Sequence, residues 1–163
     1  MRLNGKVMTA GDTLKQCKLD PFILGPKEGL ALLNGMQVSN AVVFENLLMA
    51  ENLFKTAIIS GSMAVDSACA SDQPFNNAIH KVRGHQDQID CAAWYLEWLE
   101  LSEIRTSHTN CERVQDPYSL RCQPQVMGAC LGQIRHVFDR VITEANGVSD
   151  NPIVVPETNE ILS

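Results

Sequence analysis

The most regular hydrophobic pattern in the chain lies between residues 123 and 146. Apolar residues recur there at every third or fourth position, which is the period of an amphipathic helix. Pro124 falls in the first turn, where proline is tolerated, and Gly147 follows the last apolar position. The segment is therefore predicted to be one long helix with a single apolar stripe. The residues of that stripe are Met127, Leu131, Ile134, Phe138, Val141 and Ala145.

A second apolar segment, residues 27–70, is predicted to be mostly helical, with Gly61 as a candidate interruption. No charged residue occurs between Glu28 and Glu45. A surface helix of this length normally carries charge on its water-facing side, so this one is expected to be buried on every side. A chain of 163 residues has little room to surround such a helix. We therefore expect it to pack against further polypeptide, either more of the same chain or other subunits.

The remaining predicted elements are short. They are an extended piece at residues 2–8, a small helix capped by Asp12, a helix from about 78 that breaks near Gly84 and resumes over 86–101, an irregular stretch at 102–118, and a hairpin of 153–155 with 161–162. The predicted class is all-α, mainly the long helices of a helical bundle with minor short β-hairpins. Residues 1–163 are expected to form a single segment without an internal boundary.

Composition and charge exclude several classes of function. A net charge of −6 and a pI near 5.1 argue against a nucleic-acid or anionic-membrane partner. No apolar run is long enough to span a bilayer, and the N-terminus lacks the apolar core of a signal peptide, so a soluble cytoplasmic protein is expected. The six cysteines are scattered, which favours buried thiols in a reducing compartment. No metal site is expected, because His108 and Cys111 lack a second close pair of ligands.

Candidate chemistry is concentrated between the long helix and the irregular stretch before it. Gln115, Asp116, Tyr118 and Arg121 fall within seven residues, next to Pro117. A phenol, an amide and a guanidinium at three-residue steps can point into one small space. Such a set suits a small zwitterion, because a guanidinium binds a carboxylate through two parallel hydrogen bonds and a phenol can handle a proton.

Each of these residues also has an ordinary structural interpretation. Arg121 can form a surface salt bridge, Tyr118 can be a core residue with its hydroxyl satisfied, and Gln115 can cap a loop. Asn34 lies in the uncharged helix, where it can belong to a ladder of buried amides. Asn151 precedes a proline and can be a simple turn residue. Surface or loop roles are also expected for all four histidines: His80, His85, His108 and His136.

Three blocks of sequence resemble the histidine ammonia-lyase family. They are VQDPYSLRCQPQVMGACLGQIR at residues 114–135, KEGLALLNGMQVS at 27–39 and VSDNPIVV at 148–155. All three occur in the family's order and at about its spacing, so the resemblance covers nearly the whole chain. It implies that the chain is the central part of the family's helical domain.

The resemblance also implies roles for individual residues. It makes Arg121 the ligand of the substrate's α-carboxylate and places Tyr118, as a catalytic residue, near the substrate and the electrophile. It has Gln115 form hydrogen bonds in the same site and Asn34 contact the substrate or the electrophile. Asn151 is expected to border the site.

The family removes ammonia from L-histidine by β-elimination and gives trans-urocanate. Its electrophile is 4-methylidene-imidazol-5-one (MIO), built from an internal Ala-Ser-Gly, and this chain contains no such tripeptide. The resemblance therefore implies a fragment that supplies one wall of the active site and is inactive alone. Because family members are homotetramers, a homo-oligomer is expected.

Two alternatives stay open at the level of sequence. The first is a phenylalanine or tyrosine ammonia-lyase or aminomutase, although the string QDPYSLRCQPQ is more similar to the histidine enzymes. The second is a non-catalytic helical module for assembly, because the uncharged helix and the stripe of the long helix also suit contacts between subunits.

Overall fold

The chain folds into helices joined by loops, with two short antiparallel strand pairs. The computed structural model describes residues 1–163 and confirms the all-α class with minor β-structure. Two compact units are present, Met1–Met36 with Val148–Ser163 and Gln37–Gly147. The absence of a domain boundary stays a prediction. None of the helices combines the length and the apolar content needed to cross a lipid bilayer.

The first unit contains the four strands and two short helices. The predicted C-terminal hairpin is confirmed, with Val154 opposite Ile161. The first helix begins before Asp12, because Thr9 is its cap: the Thr9 hydroxyl accepts a hydrogen bond from the Asp12 N–H at 3.2 Å. The elements are β1 (Arg2–Leu3), β2 (Lys6–Val7), α1 (Ala10–Gln16), α2 (Glu28–Asn34), β3 (Ile153–Val155) and β4 (Glu160–Leu162).

The second unit contains most of the helical structure. Its elements are α3 (Gln37–Ser67), a 3₁₀ turn (Gln73–Phe75), α4 (Asn77–Lys81), α5 (Gln86–Leu99), α6 (Glu103–Ser107), α7 (Tyr118–Arg121) and α8 (Gln123–Ala145). The long helix predicted at 123–146 is confirmed as α8. The predicted helix at 27–70 is instead two helices, because Gly35 is extended (ψ 147°) and ends α2. Residues 102–118 are mostly irregular, as predicted, except for α6, which forms because the Ser102 hydroxyl accepts a hydrogen bond from the Arg105 N–H.

Helices α3, α5 and α8 pack on one another to form the core of the second unit. The ring of Tyr95 from α5 stacks on Phe75 with centroids 5.1 Å apart. The helices approach closely at two glycines. Helix α3 is continuous through Gly61, so the interruption considered there is not formed. A Cβ at Gly61 would meet the side chains of Tyr95 and Gln123, so the glycine allows close packing of α3 on α5 and α8.

The uncharged part of α3 is not enclosed by this chain. Val38 is 76% exposed and Val42 is 57% exposed. The chain therefore covers only one stripe of the helix, and packing of the rest against further polypeptide stays a prediction. The buried residues of α3 are Leu47, Phe54, Ile58, Ser62 and Val65.

The cysteines differ from the expectation of buried thiols. Only Cys91 is buried, and burial raises the pKa of its thiol to about 12. Cys17, Cys111 and Cys130 are exposed, because they lie at helix ends, in loops or on the outer face of α8. All six thiols are free.

The contact of α8 with α5 at Gly128 gives a test of the packing. A Cβ at this position would lie 2.6 Å from the Cα of Gln88 and 2.7 Å from its N, and neither backbone atom can move without shifting α5. Gly128→Ala is therefore expected to lower the free energy of unfolding by about 1–3 kcal/mol, despite alanine's better helix propensity. Urea denaturation of the two proteins measures the difference.

Gly132→Ala is the matched control for Gly128→Ala on the same helix. Its Cβ would meet only the end of the Asp87 side chain, which can move. This variant should be near neutral or slightly more stable. Equal effects of the two substitutions would contradict the close approach at Gly128.

Candidate active site

The polar segment (residues 113–121) leads into α8 through one turn of helix. Pro117 is extended (φ −55°, ψ 149°), and its carbonyl accepts hydrogen bonds from the N–H groups of Leu120 (3.0 Å) and Arg121 (3.2 Å). Helix α7 thus begins directly after the proline. Tyr118 and Arg121 lie three residues apart on it and share a face. The Arg121 Cζ lies 4.9 Å from the centroid of the Tyr118 ring, so the two groups are in cation–π contact.

The guanidinium of Arg121 is held by one edge only. Its Nε donates a hydrogen bond of 2.8 Å to the main-chain carbonyl of Asp116. The two Nη groups form no hydrogen bond or ion pair within the chain, so the surface salt bridge considered for this arginine is not formed. A pair of Nη groups is a bidentate donor for a carboxylate. The side chain is therefore oriented and its charge is free for a ligand.

Tyr118 and Gln115 are both accessible. Tyr118 is 72% exposed, which excludes a core role for this tyrosine within the chain. Gln115 is also exposed and makes no capping hydrogen bond. Their side chains are thus free to meet a ligand in the cavity that they line.

Asp116 is the buried carboxylate of the polar segment, with 7% exposure. Its Oδ2 accepts a hydrogen bond from the Ser71 N–H at 2.7 Å, and its Oδ1 pairs with Arg113 Nη1 at 2.8 Å. Burial by itself raises the pKa of Asp116, but the Ser71 N–H, the Arg113 guanidinium and the charge of Arg121 together hold that pKa below its ordinary value. The group is therefore ionised at neutral pH.

These residues border a cavity of about 650 Å³ in the second unit. One wall is the loop after α3 with the start of α4, and the other is the polar segment with the first turn of α8. Gln125 also lines the cavity, and its Oε1 is buried without a hydrogen-bond partner. The polar residues of the lining are Ser71, Gln73, Asn76, Arg113, Gln115, Asp116, Tyr118, Arg121 and Gln125.

His80 stabilises the loop that forms the first wall. A surface or loop role was expected for it, but it is fully buried, with its ring between two hydrogen-bonding partners. Nε2 lies 2.9 Å from the Pro74 carbonyl, and Nδ1 lies 2.8 Å from Gln88 Nε2. The Pro74 carbonyl can only accept, so Nε2 donates that hydrogen bond, and Gln88 contacts the other ring nitrogen.

Asn34 and Asn151 lie in the first unit. Asn34 is the last residue of α2 and is exposed, so the ladder of buried amides considered as an alternative for it is not formed there. Asn151 is exposed and precedes Pro152 through a cis peptide bond. The adjoining residues are held by an ion pair of Lys27 with Asp150 (3.0 Å). The roles of both asparagines in ligand binding stay predictions.

Asp116 and Arg113 are the site residues for which the sequence alone gave no role. The local signal was available, since Asp116 stands three residues after one arginine and five before another. Its distant partner, the Ser71 N–H, could not be read from the sequence. That contact joins residues 45 positions apart.

The helical fold and a cavity with a guanidinium and a phenol on one wall define a class of protein. This class comprises helical proteins with a candidate site for a small anion. The chain belongs to the aromatic amino acid lyase family, whose sequence model matches residues 1–163.

Relatives with known names agree with this assignment. Histidine ammonia-lyase of Burkholderia cenocepacia (strain HI2424) is 53% identical over 161 residues, which are 99% of this chain and 32% of the relative. Histidine ammonia-lyase of Desulfotalea psychrophila (strain LSv54 / DSM 12343) is 57% identical over 159 residues, 98% of this chain and 31% of the relative. The chain therefore spans about a third of the length of these curated relatives.

A solved structure agrees as well. Histidine ammonia-lyase from Trypanosoma cruzi superposes with a TM-score of 0.83 at 33% sequence identity, covering 98% of this chain and 29% of that one. The described fold is thus a fold that this family uses.

The lowered pKa of Asp116 predicts how its contribution to stability depends on pH. A carboxyl group with a lowered pKa in the folded state stabilises that state above its ordinary pKa of 3.8, and the effect is lost as the pH falls through the folded-state value. The difference in unfolding free energy between the unchanged chain and Asp116→Asn should be constant above about pH 5 and shrink below about pH 4. Urea denaturation across pH 3–7 measures it.

Asp20→Asn serves as the control for this pH series, because Asp20 is exposed and its side chain makes no hydrogen bond or ion pair. Its stability difference should be small at every pH. A difference for Asp116→Asn that grows on acidification would contradict the described contacts.

Proposed function

We propose that this chain forms the carboxylate-binding wall of a histidine ammonia-lyase active site. The reaction is the β-elimination of ammonia from L-histidine to give trans-urocanate. One observation carries the proposal: Arg121 faces the cavity with both Nη groups free while its Nε is held at 2.8 Å by the Asp116 carbonyl. A fixed fork of this kind binds an amino-acid carboxylate in one orientation.

The choice of histidine as substrate is supported by the names of the relatives. The two curated relatives named above share more than half of their aligned residues with this chain, and each is named a histidine ammonia-lyase. A phenylalanine or tyrosine substrate, or an aminomutase reaction, is the alternative within the family. A panel of the three amino acids, offered to a complete enzyme that contains this chain, distinguishes these substrates.

The family depends on the MIO group, and the residues of this cavity fit a place beside it. The cavity wall offers an exposed phenol and a free cation, which suit a substrate held against an electrophile, and none of its residues can form the group. When bound, MIO supplies the electrophile that no ordinary side chain provides. We infer that this chain contributes binding and orientation, with the electrophile coming from other polypeptide.

The residues of the polar segment then have distinct tasks. The Arg121 guanidinium binds the substrate carboxylate and fixes the direction of the Cα–Cβ bond. The Tyr118 hydroxyl, beside that guanidinium, is the proposed catalytic group and holds or passes a proton near the amine. Gln115 orients the substrate through its amide. Asn34 and Asn151 are proposed as further substrate-binding residues on the resemblance alone.

We also propose that the protein is a homo-oligomer, with the tetramer as the form that the resemblance implies. The exposed apolar residues of α3 support this, because such a surface on an otherwise water-soluble helix is stabilised by burial against another surface. The same surface suits the alternative of a non-catalytic assembly module. The free guanidinium at the cavity favours the enzyme.

The isolated chain is expected to show no ammonia-lyase activity, because it contains no Ala-Ser-Gly from which the electrophile could form. Incubation with L-histidine, followed by ultraviolet absorption of urocanate, measures this. Steady turnover by the purified chain would overturn the division of tasks given above.

Arg121 is best tested in an exchanged enzyme, in which this chain replaces the matching 161-residue segment of the Burkholderia cenocepacia relative. Arg121→Ala should cost about 2–4 kcal/mol of transition-state binding, because the substrate carboxylate loses its partner. Arg121→Lys keeps the charge but lacks the pair of Nη groups, so its kcat/KM should lie between those of the exchanged enzyme and Arg121→Ala. A kcat/KM for Arg121→Ala close to that of the exchanged enzyme would remove Arg121 from the proposed role.

A further inference from the structure

We propose that Asp116 is the positioning residue of this site: its carboxylate joins the two walls of the cavity, and its main-chain carbonyl aims the guanidinium of Arg121. The inference rests on the proposed function, since it concerns how that arginine is held. It assigns to Asp116 a role that acts through another residue, without direct contact of its carboxylate with the substrate.

The first step of the argument is the use of the Asp116 carbonyl. It accepts the Nε–H of Arg121 at 2.8 Å. With Nε occupied, the guanidinium can offer a ligand only the edge formed by Nη1 and Nη2. The position of this one carbonyl therefore sets the direction from which a carboxylate can approach.

The second step is what fixes that carbonyl. The same residue is anchored through its side chain, with Oδ2 on the Ser71 N–H at 2.7 Å and Oδ1 on Arg113 at 2.8 Å. Ser71 belongs to the loop of the opposite wall, 45 residues earlier in the chain. Pro117 restricts the backbone on the other side of Asp116. The carbonyl is thus fixed from both directions, and the anchor also sets the width of the cavity.

The third step concerns charge. A buried carboxylate next to an arginine would ordinarily pair with it and neutralise it. Here each oxygen of Asp116 already has a partner, and its ion pair is with Arg113, whose side chain is half exposed. Arg121 makes no ion pair with this carboxylate, so its two Nη groups stay open to a ligand. Arg113 thus pairs with the carboxylate of Asp116, and Arg121 donates a hydrogen bond to its main-chain carbonyl.

The test uses the exchanged enzyme and two competitive probes that differ in one respect. Imidazole-4-propionate keeps the imidazole and the carboxylate but has no amine, whereas histamine keeps the imidazole and the amine but has no carboxylate. If Asp116 acts by aiming Arg121, Asp116→Ala should weaken inhibition by imidazole-4-propionate about tenfold or more and change that by histamine less than about twofold. A merely structural role would weaken both probes alike.

Asp116→Asn provides the conservative variant and protects the test against misfolding. Its amide oxygen can still accept the Ser71 N–H, but the charge that pairs with Arg113 is gone. Its selective loss should lie between those of the unchanged enzyme and Asp116→Ala. If Asp116→Ala does not fold, as judged by circular dichroism and thermal denaturation, the selectivity of Asp116→Asn decides.

Asp72→Asn is the matched control. Asp72 is next to Ser71 and pairs with Arg105, but it does not line the cavity. Removing its charge breaks a comparable ion pair in the same loop and should leave the ratio of the two inhibition constants unchanged. Selective loss with Asp72→Asn as well would overturn the proposal, because any disturbance of the loop would then suffice.

Arg121→Ala separates failure of this inference from failure of the proposed function. If Arg121→Ala weakens inhibition by imidazole-4-propionate selectively while the Asp116 variants do not, the carboxylate-binding role of Arg121 is supported and the positioning role of Asp116 is wrong. If Arg121→Ala itself shows no preference, the carboxylate clamp is wrong, and the positioning role fails with it. Selective loss in both, with Asp72→Asn unaffected, supports both.

Discussion

The contact of α8 with α5 at Gly128 determines the position of the groups that carry chemistry in the second unit. Because Gly128 has no side chain, the backbone of α8 lies close to that of α5 at Gln88, and the buried Tyr95 and Leu131 of the same two helices belong to the core cluster. Since the polar segment leads directly into the first turn of α8, the seating of that helix sets the place of Tyr118 and Arg121. A side chain at this contact would displace α8 and with it Tyr118 and Arg121 at the cavity.

Within the cavity, the guanidinium of Arg121 is held in place without an ion pair to a neighbouring carboxylate. A free guanidinium attracts any nearby carboxylate, and one that is held too loosely loses affinity through the freedom of its side chain. The carboxylate nearest in sequence, Asp116, is occupied by Ser71 and Arg113, and its carbonyl holds one edge of Arg121. The cation is thus restrained by one hydrogen bond and makes no ion pair within the chain, which is the condition for a preorganised anion site.

Much of the fold could be predicted because local patterns determine it. The period of α8 and the hairpin at the C-terminus follow from the spacing of apolar residues and turn residues. The break at Gly35, the helix after Ser102 and the burial of His80 could not, since each depends on a backbone conformation or on partners distant in the chain. The same division holds for the site: three-residue spacing predicts that Tyr118 and Arg121 meet, but only the folded chain brings Ser71 to Asp116.

The exposed apolar surface of α3 and the polar segment carry different weight for function. Charged residues occupy only four positions on this 31-residue helix, and Val38 and Leu53 are largely exposed. The exposed face of α3 is therefore not the charged face that a helix in contact with water normally has. Burial against another copy would stabilise it by roughly 25 cal/mol for each Å² of apolar surface covered. An enzyme subunit and a non-catalytic assembly module would gain from this equally. Assembly gives no reason, however, to hold Arg121 by its Nε and leave both Nη groups free at a cavity, and that arrangement is what favours a substrate carboxylate.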